Sequence, residues 1–203
     1  MNYTGPKVKL SRKIGIAITP KAATVLERKN YAPGQHGPMR RMRRGQKISN
    51  YKRQLLEKQK LRFQYNIHEK QLRNYYDKAA RKKGITAENL IQLLETRLDN
   101  LVLRGGLART IYQARQLVSH GHFLVNSRPV NLPAYSVQVN DIVSLQFKSK
   151  KLDVIHNALQ HAHPPQYLEL SKADLSIQLK RLPARKEVPI QCDVVQVIEF
   201  YSK

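Results

Sequence analysis

The chain is short of the residues that most enzyme chemistry and cross-linking rely on. Cys192 is its only cysteine, and it has no tryptophan. A single cysteine excludes an intrachain disulfide and a cysteine-rich zinc site, and it fits a reducing compartment. No run approaches the ~18 apolar residues of a membrane-spanning helix. The opening MNYTGPKVKLSRK lacks an apolar core, so no secretory signal is expected. Phosphate-cradling loops are absent as well. Gly105-Gly106 has neither GxGxxG nor Walker spacing, and no cofactor is expected. Acidic residues are scarce, 14 against 37 Lys plus Arg.

What remains is a basic chain with enough apolar residues to fold. Its 203 residues are 41% hydrophobic, sufficient for one large domain or two small ones around a real core. The net charge is +23. Solubility of a small domain asks for a magnitude of only ~2–8. The excess points to a polyanion, because each Lys or Arg beside a phosphate releases a counterion. A solvated basic surface, or one facing anionic lipid, is the alternative. The charge is also uneven: 23 basic and 4 acidic side chains lie in residues 1–83, against 14 and 10 in residues 84–203. That split suggests a nucleic-acid-embedded arm joined to a nearly balanced remainder.

Residues 1–47 show no clean periodicity. Pro33, Gly34, Gly37 and Pro38 punctuate them as turns. Apolar anchors such as Leu10, Ile14 and Ile16 predict an ordered arm carrying a basic loop, with Arg40, Arg41, Arg43, Arg44 and Lys47. Residues 49–83 read as two helices, Ser49 capping the first and Asn66 marking the break. Leu72, Tyr75, Tyr76, Ala79 and Ala80 make an apolar stripe in the second. Leu90 to Val102 continues at helical spacing until Gly105-Gly106, and residues 109–119 make the next helix. After Gly121 the period falls from 3.6 to 2, with turns at 126–129 and 140–141. Leu152 to Ala162 reads as a short helix ended by His163-Pro164-Pro165. Tyr167–Leu170, Leu175–Leu179 and Val194–Tyr201 read as strands.

The helix at 109–119 divides cleanly. Ile111, Ala114, Leu117 and Val118 share one arc. Arg109, Tyr112, Gln113, Gln116 and Ser119 lie opposite, with Arg115 on the border. Such donors suit phosphate and ribose oxygens, although any surface helix has a solvated polar face. The helix runs into His120-Gly121-His122. Two histidines are too few for zinc, which wants at least three protein ligands, and no Cys or HExxH pattern is near. A catalytic dyad would need an acid or nucleophile in reach. His156, His161 and His163 have poor ligand spacing.

From LETRLDNLVLRGGLAR through ARQLVSHGHFLVN to VNLPAYSVQVNDIVSL, the sequence resembles the S-four RNA-binding module. GPKVKLSRKIG, NYAPGQHG, LLEKQKLRFQYNIHEKQLRNYYDKAA and VIEFYSK resemble the small-subunit ribosomal member of that family, bacterial type. The resemblance implies an α+β, mainly helical fold: a discontinuous helical domain with an inserted small helix–β RNA-binding module. The implied division is a basic arm at 1–47, a helical domain at 48–96 and 153–203, and the module at 97–152.

By the same likeness Arg97, Arg104, Arg109, Gln113, Arg115, Gln116, Ser119, His120, His122 and Asn126 face RNA. Lys58, Lys60, Arg62, Lys70 and Arg73 also face ribosomal RNA, and the loop at 40–47 lies where messenger RNA enters the subunit. Duplex RNA is read mostly by shape, phosphate and 2′-hydroxyl, which suits scattered Arg, Lys and Gln. The implied partners are small-subunit ribosomal RNA, messenger RNA and neighbouring small-subunit proteins, with no membrane and no small-molecule substrate. The implied location is the ribosome of a bacterial cytoplasm rather than of an organelle.

The chain departs from the family pattern in places. Four zinc-binding cysteines found in some members are missing from residues 1–47, so no metal is expected. Ile111 stands where an arginine is usual, with Arg109 the candidate replacement, and Ser127 stands where a hairpin glycine is usual. A tryptophan common near Tyr167 is absent. The alternative functions are an RNA-modifying enzyme or other RNA-binding factor carrying the module, or a nucleoid DNA binder. The enzyme would need a further catalytic domain, for which residues outside 97–146 carry no signature.

Overall fold

Helices dominate the first part of the chain, because its apolar residues recur at three and four while few β-branched runs interrupt them. The computed structural model describes residues 3–38 and 49–202. The chain forms two compact units, Met1–Tyr76 with Ile190–Lys203, and Asp77–Pro189.

The first unit holds α1 (Lys7–Ile14), α2 (Pro20–Arg28), α3 (Asn50–Gln64), the start of α4 (Glu69–Arg81) and α9 (Val194–Tyr201). Ser49 caps α3 by accepting from the Lys52 N–H, and Asn66, at φ 48°, breaks the chain between α3 and α4. The arm is ordered through α1 and α2. Ser11 is buried and its hydroxyl accepts from the Ile18 N–H at 3.2 Å.

Val194–Tyr201 is a helix, not the expected strand. Its β-branched composition favours a strand, but Asp193 caps its first turn by accepting from the Val195 N–H. Val194 and Val197 bury one helical face, so packing overrides propensity. α9 is bound to α3 by Gln54 Nε2 donating to Glu199 at 2.9 Å, and Lys58 Nζ stands 4.2 Å from the Phe200 ring centre. The helical part is therefore discontinuous in sequence, closed by its C-terminal helix.

The second unit contains α5 (Thr86–Glu95), α6 (Leu98–Arg104), α7 (Ile111–Ser119), α8 (Asp153–Leu159) and one antiparallel sheet. The strands are β1 (Phe123–Val125), β2 (Arg128–Pro129), β3 (Ile142–Leu145), β4 (Leu168–Ser171) and β5 (Ser176–Leu179), in the order β2-β1-β3-β5-β4. Phe123, Val125, Val143, Leu145, Ile177 and Leu179 form the inner face against Leu98, Leu101, Val102, Leu117 and Val118. A Cβ on Gly105 would come within 2.1 Å of Ile177 Cδ1, so the end of α6 needs glycine to lie on β5. The expected continuous helix from Leu90 to Val102 is two helices. Arg97 is extended between them (φ −69°, ψ 141°) and forms a β-bridge with Ser136. The helices expected at 109–119 and 152–162 are shorter, Ile111–Ser119 and Asp153–Leu159.

The β1–β2 hairpin turns on Asn126 and Ser127 at φ 47° and 65°, both in the left-handed region. A two-residue loop with both residues at positive φ is a type I′ turn, which favours glycine at its second position. Ser127 therefore sits where a side chain costs about 1 kcal/mol. Ser127→Gly is expected to stabilise the protein by up to about 1 kcal/mol in denaturant unfolding. A fall in the midpoint would show that the serine contributes a contact worth more than the backbone strain.

Glu69 joins three elements of the first unit: it receives Lys58 Nζ at 2.8 Å and the Tyr201 hydroxyl at 2.7 Å. Burial alone would raise its carboxyl, but the hydrogen bonds from Lys58 and Tyr201 outweigh it and hold the pKa below the ordinary 4.5. A depressed folded value means the stabilisation is complete above pH 4.5 and is lost as pH falls through the lower folded value. Wild type is expected to lose stability across that acid window. Glu69→Gln should show a flatter acid limb in denaturant midpoints measured from neutral pH downward.

Candidate nucleic-acid interface

α7 starts because Thr110 accepts from the Gln113 N–H at 3.2 Å, and ends because Gly121 takes the left-handed conformation at φ 75°. Ile111, Ala114, Leu117 and Val118 are buried, as the spacing predicts. The opposite side presents Gln116, Ser119 and His120, all exposed, with Arg109 exposed just before the helix. Gln113 is half-buried and its amide oxygen accepts from the Arg109 N–H at 2.7 Å. Ile111, the departure from the family pattern, is therefore a core residue, and Arg109 is the cation next to it that reaches solvent.

Three further arginines of this unit, Arg97, Arg104 and Arg115, are arranged around two buried carboxylates. Arg97 is only 1% exposed. Its Nε and Nη2 donate to the two oxygens of Asp99 at 3.0 and 2.5 Å. Arg115 reaches the same carboxylate at 3.4 Å from α7. Glu95, at the end of α5, accepts from Arg104 Nε and Nη2 at 3.1 and 3.0 Å, from Asn100 Nδ2 at 2.6 Å and from the Tyr167 hydroxyl at 2.9 Å. Burial pushes the Tyr167 phenol up, and the neighbouring Glu95 adds to it, so the hydroxyl stays a donor.

The expectation that Arg97 faces RNA is thus corrected: it is a core ion-pair partner. Arg104 and Arg115 keep partial exposure, with side chains 18% and 20% accessible. Lys58 needs the same correction. It is buried, held by Glu69 and facing the Phe200 ring. Sequence could not show either burial: Asp99 stands two residues from Arg97, but the chain that covers the pair, with Ser136 bridged to Arg97, comes from elsewhere, and Glu69 reaches Lys58 only through the fold.

The other positions divide as follows. Lys70 and Arg73 are exposed on α4. Lys60 is paired with Glu57 at 2.6 Å, and Arg62 lies over the Phe63 ring with Glu69 at 3.6 Å. Asn126 is exposed, but its amide pins the hairpin, donating to Asp141 at 2.7 Å and accepting from the Ile142 N–H at 3.0 Å. His122 is half-buried, its Nδ1 2.8 Å from Ser149 Oγ, and its ring centre is 6.1 Å from that of His120. Among the described residues, no group of three or more His, Cys, Asp or Glu is placed to share a metal ion. No helix among them is long and apolar enough to cross a membrane. Arg40, Arg41, Arg43, Arg44 and Lys47 lie outside the described residues. Exposed Arg128, Lys148 and Lys151 extend the basic surface of this unit beyond the expected residues. Their only signal in the sequence is the run FKSKK and an arginine after a tight turn.

Removing one partner of a buried ion pair leaves the other charge unsolvated. Asp99→Asn is expected to cost about 3–5 kcal/mol in unfolding free energy. Arg109→Ala, at an exposed position, should stay within about 0.5 kcal/mol. Equal denaturation midpoints for the two variants would remove Asp99 from the scaffold.

Two family models match the chain. One, described as "Ribosomal protein S4/S9 N-terminal domain", covers residues 2–95, and the other, "S4 domain", covers residues 96–143. A protein of Chlorobium phaeovibrioides named "Small ribosomal subunit protein uS4" is 44% identical over 204 residues, spanning 99% of this chain and 98% of the relative. Proteins of the same name from Streptomyces avermitilis and Oceanobacillus iheyensis are 44% and 45% identical, each across 98% or more of its own length.

Proposed function

The chain belongs to the ribosomal protein S4 family, and from that membership we propose that it is a structural constituent of the small ribosomal subunit that binds its ribosomal RNA. The observation that carries this reading is likeness over the whole length: relatives named as small-subunit proteins align across 98% or more of themselves. The net charge of +23 gives the physical motive, since a polyanion is needed to neutralise it.

Within this reading the protein binds ribosomal RNA directly and early, as a nucleus for assembly of the subunit. Arg109, Gln116, Ser119 and His120 form the RNA-facing edge of the module, with Arg104, Gln113, Arg115 and His122 at its margin. Lys70 and Arg73, with Lys60 and Arg62 beside them, provide a second contact on the helical part. For this role the chain divides into the basic arm at 1–47, a discontinuous domain at 48–96 and 153–203, whose β4 and β5 continue the sheet of the module, and the RNA-binding module at 97–152. The loop at 40–47 contacts messenger RNA where it enters the subunit and contributes to translational accuracy. The protein acts by binding and not by catalysis, in a bacterial cytoplasm and beside other small-subunit proteins. The alternative is an RNA-modifying enzyme or other RNA-binding factor carrying the module; the relatives' shared name as small-subunit proteins supports the structural reading instead.

The test is a salt series with purified protein, transcribed small-subunit ribosomal RNA and generic duplex DNA. Binding to the ribosomal RNA should be far tighter, and should fall about a thousandfold or more between 50 and 200 mM salt if six or more phosphates are contacted. Equal affinity for both nucleic acids would refute the reading.

A further inference from the structure

Phe147 is 84% exposed, the most exposed large hydrophobic side chain among the described residues. It opens a short 3₁₀ turn, Phe147–Ser149, directly after β3. An aromatic ring left in water forgoes the stabilisation that burial would provide, and nothing in the packing of this unit covers it. The turn that carries it is nonetheless braced. The Gln146 N–H donates to the His122 carbonyl at 2.9 Å, and buried Ser149 meets His122 Nδ1 at 2.8 Å. Lys150 is held from its other side, its carbonyl 2.7 Å from His156 Nε2. The ring therefore projects from a backbone fixed to the corner where α7 passes into β1.

Its surroundings are cationic: Lys148 and Lys151 are exposed and Lys150 is half-buried. A protein-binding hot spot would instead sit in a contiguous apolar patch, and lysine is depleted at the centre of such interfaces. One exposed ring with cations beside it matches the way single-stranded RNA is held, bases on aromatic faces and phosphates on basic side chains. A base within a duplex has no free face to offer.

We propose that Phe147 is a stacking platform for an unpaired base of the small-subunit ribosomal RNA, with Lys148 and Lys151 neutralising the phosphates beside it. This rests on the ribosomal-RNA reading above and deepens it. The module would hold duplex by the polar edge of α7 and an unstacked nucleotide by the turn after β3. His122 joins the two: its backbone and ring fix the turn, so the His120-Gly121-His122 corner sets where both contacts stand.

The chain has no tryptophan, so Phe147→Trp introduces a sole indole reporter. Full-length wild type, Phe147→Ala, Phe147→Leu and Phe147→Trp are titrated with transcribed small-subunit ribosomal RNA. Alanine and leucine are expected to weaken binding about tenfold, because neither has a π face. Tryptophan should bind within about twofold of wild type, with its emission quenched by the RNA. All four should melt alike, since the ring is exposed. Undiminished affinity in the alanine variant, or tryptophan emission unchanged in the bound complex, overturns the proposal. Emission that responds to purified small-subunit proteins and not to RNA also overturns it, in favour of a protein partner. If wild type itself binds ribosomal RNA no better than duplex DNA, the functional reading falls and this proposal with it. If wild type binds and the alanine variant equals it, only the stack falls.

Discussion

Two carboxylates buried four residues apart, Glu95 and Asp99, set the geometry of the second unit. Ionised groups in the interior are tolerated only when they are paired and hydrogen-bonded. Glu95 meets that demand with Asn100, Arg104 and Tyr167, and Asp99 meets it with Arg97 and Arg115. These partners come from α6, α7, the extended link at Arg97 and the residue just before β4. Meeting the demand therefore fixes the helices against the sheet. Hydrophobic contact alone would permit sliding. Directional pairs that must all be made at once allow far fewer arrangements.

The same constraint decides which cations are available to a polyanion. Arg97 and Lys58 lie inside, and Arg104 and Arg115 are held at the boundary by Glu95 and Asp99. Of the cations that the resemblance picks out among the described residues, Arg109 just before α7 and Lys70 and Arg73 on α4 are the exposed ones. Arg104 and Arg115 are pre-oriented by their carboxylates. A guanidinium already held in one rotamer loses less freedom when it meets a phosphate. On the proposed reading, the buried pairs support the binding surface without touching the ligand.

Much of this was legible in the residues. Ser49 and Asn66 bracketed α3, the arc of Ile111, Ala114, Leu117 and Val118 located the buried side of α7, and the change of period at Gly121 marked the start of the sheet. These signals are local, carried by caps, spacing and turn residues. Val194–Tyr201 misled because its β-branched residues favour a strand in isolation, while the surface of α3 accepts them as a helix. The break at Arg97 was hidden for a related reason: the leucine spacing runs through it unbroken, and it is pairing with residues 133–137 that interrupts the helix. Burial of a given cation is also non-local. A lysine or arginine reads as exposed until the fold brings a carboxylate or an aromatic face to it.

By itself the sequence determined the mainly helical α+β class, the amphipathic division of α7, the polyanion partner and the family. Each follows from composition, periodicity or an ordered string of motifs. The tertiary structure alone decided which of the described basic side chains reach solvent, that the C-terminal segment is a helix, and that Phe147 is left standing on a braced turn. The reason is the same in all three: burial and pairing depend on what comes close in space, and residues far apart in the chain supply it.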